Sequence, residues 1–363
     1  MTRRGASNTT QVARQEIRSY ELEKDIKSLL PFEIAEYFGT INEPAYRGEQ
    51  VFRWLHRGVG SFSEMSNISE GLRSQLYDAF ILSTPELLER QVSSNDGTCK
   101  YLWRLIDGNT VESVLMEYEH GLTACISTQV GCRMGCRFCA STRGGFVRNL
   151  TAGEMLDQLI FSQIDSGKRI SNVVLMGIGE PLDNYDNVIQ FIRLANHPMG
   201  INIGARHMTV STVGIIENID KLAKSDVKLS LAASLHAPDD ETRSQLLPIN
   251  KNIGVDELIS ACKRYQKSTG RRVSYEYTLI DGVNDSQSHG MLLAKKLKNS
   301  SSLVNLIPFN NVAGTSFKSS STKKVNFFKQ ILEDNGITCT VRRRLGADID
   351  AACGQLRAKQ ETI

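Results

Sequence analysis

The 363-residue chain has no apolar run near the roughly 18 residues of a membrane-spanning helix. It opens with no charged-then-apolar leader, so no signal peptide is expected and the expected location is the cytoplasm. A net charge of +3 is too small to name a class of partner. A disulfide framework is excluded as well. Eight cysteines are few for this length, and four of them crowd between Cys125 and Cys139, a usage that suits a reducing compartment. Cys99, Cys262 and Cys339 are scattered and read as buried thiols. One further absence is chemical: after Cys139 there is no cysteine or histidine until His197.

What is present is sharper. Cys132, Cys136 and Cys139 stand in the run Gly-Cys-Arg-Met-Gly-Cys-Arg-Phe-Cys. A cubane iron–sulfur cluster normally takes four thiolates, so three leave one iron open to a substrate. The alternative is a zinc knuckle, which wants four ligands and most often paired two-residue spacings. The spacing, with Phe138 before the third cysteine, resembles the signature of radical S-adenosylmethionine (SAM) enzymes. In that superfamily the open iron chelates SAM, and one electron cleaves it to methionine and a 5′-deoxyadenosyl radical.

Charge is unevenly spread. Arg133, Arg137, Arg143 and Arg148 fall in residues 131–150 without an acid, and Arg342, Arg343 and Arg344 are consecutive. Such arginines are expected to contact a polyanion, with Arg148 and Arg344 as the test positions, and a solvated loop is the alternative.

The hydrophobic content of 40% is enough for one large core and a smaller one. Residues 1–18 are polar and expected to be a disordered arm. Residues 19–90 read as a small helical unit, with amphipathic segments near 21–38, 44–57 and 68–80. Residues 91–121 read as a β-hairpin extension and linker, with Lys100–Ile106 and Thr110–Tyr118 flanking Asp107-Gly108-Asn109. Residues 122–335 alternate strands and helices, with strands at Thr123–Val130, Asn172–Gly177, His207–Thr212, Val227–Ser234, Val273–Ile280 and Leu303–Pro308. Thr151 with Glu154 forms a capping box that starts the first helix of this alternation. The fold class is therefore α/β, and six units suit the open (β/α)6 partial barrel of radical SAM proteins. A terminal strand and a cysteine segment fill 336–363.

Strand ends supply the expected cofactor ligands. Gly179 and Glu180 end the second unit, Glu180 as acceptor for the SAM ammonium. Ser211, then Ser234, Leu235 and His236, then Asn310 end later ones, offering hydroxyl, imidazole and amide groups. A dinucleotide fingerprint is excluded at Gly177-Ile178-Gly179, because the third glycine is missing and Pro181 follows.

Near the end lies Gly346-Ala347-Asp348-Ile349-Asp350-Ala351-Ala352-Cys353-Gly354-Gln355-Leu356. With Gly145-Phe146-Val147-Arg148-Asn149-Leu150, Gly177-Ile178-Gly179-Glu180-Pro181-Leu182, and Cys125 seven residues before Cys132, it resembles the RlmN and Cfr family of RNA adenosine methyltransferases. The resemblance spans about residues 20–357; Ala347 departs from it where many relatives carry a second acid. It implies a 4Fe–4S cluster held by Cys132, Cys136 and Cys139, and two SAM molecules per turnover. It implies that Cys353 takes a methyl group from one SAM, that the resulting methylcysteine is activated by the radical from the other, and that its carbon adds to adenine. Cys125 then resolves the protein–RNA thioether through a transient disulfide, with Glu112 as proton acceptor. The implied substrates are 23S rRNA, at an adenosine of the peptidyl transferase centre, and certain tRNAs, at the adenosine 3′ of the anticodon. Methylation at carbon 2 is the RlmN-like outcome and the one expected; carbon 8 is the Cfr-like alternative. An electron donor such as flavodoxin or ferredoxin, a helical unit that helps bind RNA, and a monomer complete the expectation.

Overall fold

A computed structural model of the chain describes residues 25–119, 121–298 and 302–356. The expected arm at 1–18 lies outside these residues, as does the start of the first expected helix. Among the described residues three α-helices come first: α1 (Pro31–Thr40), α2 (Tyr46–Leu55) and α3 (Glu70–Ala79). Their apolar faces, among them Ile34, Phe38, Val51, Phe52, Leu55, Leu72 and Leu76, merge with the core of the remaining chain. The helical unit therefore shares a core with the rest instead of hanging from a linker. A buried ion pair pins the junction: Lys27 Nζ lies 2.7 Å from Asp157 Oδ1, and Ser83 Oγ donates to Asp25 Oδ2 at 2.6 Å beside it.

Among the described residues ten strands form one sheet, in the order β1-β2-β3-β4-β7-β8-β9-β10-β11-β12. β1 (Glu86–Val92), β2 (Cys99–Arg104), β3 (Thr110–Tyr118) and β4 (Gly121–Cys125) are mutually antiparallel. From β4 the sheet turns parallel through β7 (Ile170–Leu175), β8 (Met208–Thr212), β9 (Ser230–Ser234), β10 (Val273–Leu279), β11 (Leu303–Pro308) and β12 (Thr338–Val341). The crossovers carry α4 (Ala152–Ser166), α5 (Tyr185–Asn196), α6 (Ile216–Ala223), α7 (Asp240–Leu246), α8 (Val255–Thr269), α9 (Gln287–Leu297) and α10 (Thr322–Asp334). This is the open α/β barrel the alternation predicts. The hairpin is no appendage, because β3 pairs along β4 from Tyr118–Gly121 to Val114–Cys125.

Two local outcomes differ from expectation. β1 falls where helix and linker are expected; it is exposed along most of its length, so no period-two pattern marks it. The strand expected over Thr123–Val130 is broken: β4 ends at Cys125, and Gln129–Gly131 (β5) pairs instead with Phe146–Asn149 (β6) in a separate ribbon. The break comes where the chain crosses the Gly177 turn, whose N–H donates to Ile126 O at 3.0 Å. A Cβ on Gly177 would sit 2.6 Å from the Ile126 carbonyl carbon, and one on Gly179 (φ +112°) 2.7 Å from Gln129 Cβ. Both glycines thus let two chain segments touch.

Helix α4 begins as its capping box predicts: Thr151 Oγ1 accepts from Glu154 N at 3.1 Å and Glu154 Oε2 accepts from Thr151 N at 3.0 Å. Arg148 completes this corner. Its guanidinium grips both Glu154 oxygens at 2.8 Å and donates to Asp107 Oδ2 at 2.6 Å, tying the β2–β3 turn to the start of α4. The expectation that Arg148 contacts RNA is therefore corrected, since four of its five donors and both neighbouring carboxylates are engaged inside the fold. Removing one partner from so buried a network costs about 3–5 kcal/mol. Arg148→Ala is expected to lower the melting temperature markedly in thermal unfolding and to leave the salt slope of RNA binding unchanged. An unchanged melting temperature would remove this structural role.

Candidate active site

The loop between β5 and β6 carries Cys132, Cys136 and Cys139, with Ala140–Thr142 closing it as a short 3-10 turn. All three thiols line one cleft at the strand C-termini, together with Phe138, Glu180, Ser211, Ser234 and His236. Burial pushes Cys132 up to about 12 and holds Cys136 and Cys139 above the ordinary thiol range, and the neighbouring thiols act in the same direction. A metal bound here would have to displace the thiol protons, so its uptake releases protons and strengthens as pH rises. Three sulfur ligands on one loop fit three corners of a cubane better than a zinc knuckle, which wants four ligands.

The expected cofactor ligands surround this loop. Glu180 follows Gly179, and its carboxylate is held by two backbone donors, Leu182 N on Oε1 (3.1 Å) and Val213 N on Oε2 (2.9 Å). Burial pushes it up to about 7 against those bonds, so a cation arriving beside it would favour the ionised form. Ser211 and Ser234 bring their hydroxyls within 3.5 Å of each other on adjacent strands. His236 takes a left-handed backbone (φ 58°), and burial lowers it to about 3, leaving the imidazole neutral. Its Nδ1 accepts from Thr278 N at 3.0 Å, so the hydrogen sits on Nε2, and its ring meets Phe138 edge-on at 4.9 Å. Leu235 differs: its side chain is in the core, and its N–H and C=O are engaged by Glu276 O and Arg243 Nε. It is not among the cleft residues and only spaces Ser234 from His236.

Glu276, which the sequence did not single out, also lines the cleft. Its Oε1 is held by Ser274 Oγ at 3.1 Å, while its buried Oε2 has no hydrogen bond among the described residues and lies 4.0 Å from Arg342 Nη1. A fixed acceptor beside two serine hydroxyls suits the hydroxyl or amino groups of an adenosine-bearing cofactor.

Beside the cleft is a second cavity, lined by Met116, Tyr118, Cys125, Met176, Arg342 and Cys353. Cys353 lines both. Its segment is fastened on each side. Asp96 Oδ2 accepts from Gly346 N at 2.9 Å, and Asp348 accepts from Ser93 Oγ at 2.7 Å and Ser94 N at 3.0 Å. Beyond Cys353, Gly354 O accepts from Ala140 N at 2.8 Å and Leu356 O from Ser141 Oγ at 2.8 Å, which ties the segment to the cysteine loop. Asn310 Nδ2 donates to Cys353 O at 3.1 Å, so this expected cofactor ligand also positions the cysteine.

Cys125 ends β4 opposite Val114, and burial, with the facing Cys353 adding, pushes its thiol up to about 12. Glu112 lies two residues before Val114 on β3 and so shares its face of the sheet; it is buried, with Lys100 Nζ 3.7 Å away. Arg342 is turned inward, and the facing charge of Cys353 holds its guanidinium above the ordinary arginine range. Arg133 pairs with Asp183 at 2.8 Å, and Arg344 bonds Phe309 O and Ser319 Oγ. Arg137, Arg143 and Arg343 remain exposed.

Comparison with known proteins agrees with this geometry. Residues 126–292 match the radical SAM superfamily, and residues 25–82 match the ribosomal RNA large subunit methyltransferase N-terminal domain. A probable dual-specificity RNA methyltransferase RlmN from Alkaliphilus oremlandii is 50% identical over 92% of this chain and 98% of its own. One from Thermoanaerobacter sp. is 49% identical with the same coverage. The chain belongs to the RlmN family. A crystal structure of a radical SAM methyltransferase from Sphaerobacter thermophilus superposes on this RlmN-family chain with a TM-score of 0.88 and 41% identity, covering 92% of this chain and 99% of that one. As a radical SAM enzyme the RlmN-family chain works with a 4Fe–4S cluster and SAM. Among its described residues no helix is long and apolar enough to cross a membrane.

Proposed function

We propose that this chain is an RNA methyltransferase that methylates carbon 2 of an adenosine, in the peptidyl transferase centre of 23S rRNA and 3′ of the anticodon in certain tRNAs. The reading rests above all on the placement of Cys353, on the wall shared by the cysteine-triad cleft and the cavity of Cys125. Carbon 2 of adenine has no lone pair, so it cannot attack an electrophilic methyl directly. Cys132, Cys136 and Cys139 would hold the cluster, and Glu180, Ser211, Ser234 and His236 the SAM. When bound, the cluster supplies the electron that splits SAM into methionine and an adenosyl radical.

The chain's own residues do the rest. The Cys353 thiolate takes a methyl group from SAM, forming a sulfur–carbon bond as the sulfonium bond breaks. Arg342 stabilises that thiolate. After the carbon has joined the base, the unpaired electron would return to the oxidised cluster, and Glu112 accepts the proton lost from the modified position. Cys125 Sγ attacks Cys353 Sγ in line: the disulfide forms, the sulfur–carbon bond breaks with its electron pair on carbon, and that carbon takes a proton to become the methyl group of the released RNA. Burial, with Cys353 adding to it, pushes the Cys125 thiol up to about 12, so it must give up its proton before it attacks.

The helical unit within residues 19–90 and the exposed Arg137, Arg143 and Arg343 carry the RNA contacts in this reading. A small electron-transfer protein such as flavodoxin or ferredoxin reduces the enzyme, which acts as a cytoplasmic monomer. Mass spectrometry of nucleosides from RNA treated with the reconstituted enzyme is expected to find 2-methyladenosine. Finding 8-methyladenosine would transfer the chain to the Cfr-like reading, and no methylated adenosine would remove both.

A further inference from the structure

Arg243, on α7, has no exposed surface and is the largest fully buried side chain among the described residues. All five of its N–H donors are used. Nε donates to Leu235 O at 3.1 Å; Nη1 to Asn250 Oδ1 at 2.9 Å and Ile253 O at 3.0 Å; Nη2 to Val213 O at 2.6 Å and Ser234 O at 3.2 Å. Every acceptor is a neutral oxygen. Among the described residues no carboxylate pairs with this guanidinium. The nearby Asp240 instead accepts from Asn250 Nδ2 and from Val255 N at 2.8 Å.

Five hydrogen bonds satisfy the donors without placing an anion against the guanidinium, and a buried cation without a paired charge is expensive. Burial pushes Arg243 down to about 10, and Cys136, then Asp240 and Cys262, act against that shift. The packing agrees. Cys136 belongs to one apolar cluster with Leu246 and Leu247 at the end of α7, and the next residue, Arg137, donates its N–H to Leu246 O at 3.0 Å. The helix that carries Arg243 is therefore the wall behind the cysteine loop.

We propose that Arg243 is the built-in counter-charge of the iron–sulfur cluster and raises its reduction potential. This rests on the reading that Cys132, Cys136 and Cys139 hold a cluster. Three thiolates make the assembly negative, and one-electron reduction makes it more so. A fixed cation in a region of low dielectric favours the reduced form. The same guanidinium holds the carbonyls of Val213 and Ser234, so the SAM-facing strand ends and the cluster's charge balance share one side chain.

The test uses the full chain, reconstituted anaerobically, with iron and sulfide counted and the midpoint potential read by electron paramagnetic resonance during dithionite titration. Arg243→Gln removes the charge, and Arg243→Lys keeps it with fewer hydrogen bonds. Asn250→Asp puts a carboxylate 2.9 Å from Nη1 and preserves all five donations. It therefore carries the test if the glutamine variant does not fold, although the donations from Asn250 Nδ2 to Asp240 and Ser244 are lost. A more negative midpoint is expected for Arg243→Gln and Asn250→Asp, with Arg243→Lys close to wild type. A fully loaded Asn250→Asp protein with the wild-type midpoint would overturn the proposal, as would a lysine variant shifted as far as the glutamine one. A wild-type protein that takes up no iron would sink the cluster reading itself, a result distinct from either.

Discussion

Cys125→Ala is expected to accumulate RNA covalently bound to the protein, while Cys353→Ala and the double variant carry none. The two cysteines border one cavity but meet the cleft differently: Cys353 lines both spaces, and Cys125 is confined to the far one. Without Cys125 the methyl group can still be taken up and joined to the base, yet no sulfur is in line to break the thioether. A substitution at this buried position creates only a small void, so folding and cluster content should hold. The check is a nuclease-sensitive shift of the protein purified from cells, by gel and by mass. Absence of the shift in Cys125→Ala, with the cluster intact, would remove the resolving role.

Arg342→Gln is expected to slow methyl uptake at Cys353 by about tenfold or more, because the attacking sulfur carries negative charge and Arg342 is the cation that faces it. The groups facing Arg342 are Cys353, Glu276, Tyr118 and Cys125, and Cys353 has the largest influence on it. Removing the cation withdraws the charge that faces the attacking sulfur. Arg342→Lys should restore most of the rate. The rate of transfer of labelled methyl from SAM to the protein reads the effect. Equal rates for wild type and Arg342→Gln would return Arg342 to a packing role.

Local patterns were legible in the sequence and distant partnerships were not. The cysteine triad, the Thr151–Glu154 cap and the strand Leu303–Pro308 are each written within a few residues. Strand β1 was missed because nearly all of its side chains face water and no alternation survives. Arg148 looked like an RNA contact because its loop holds no acid, whereas its partner Asp107 is 41 residues away in the chain. Arg243 and Glu276 are single charged letters in ordinary surroundings; only the fold reveals one wrapped in carbonyls and the other aimed at a cleft. Arg342 was read within a basic run, and the fold separates it by turning it inward while Arg343 stays exposed.

The continuity of the hairpin with the barrel bears on how this architecture can be rebuilt. β3 brings Glu112 and the partner of Cys125 to the edge of β4, so one wall of the reaction chamber belongs to a region that looks dispensable in a linear diagram. A chimera spliced between β3 and β4 would sever donor chemistry from turnover chemistry. A junction ahead of β1 would keep that wall but cut through the core that the helical region shares with the barrel and strip Asp157 of Lys27. The unit that can be transplanted thus reaches back through the helices, well upstream of the cysteine motif by which such enzymes are recognised.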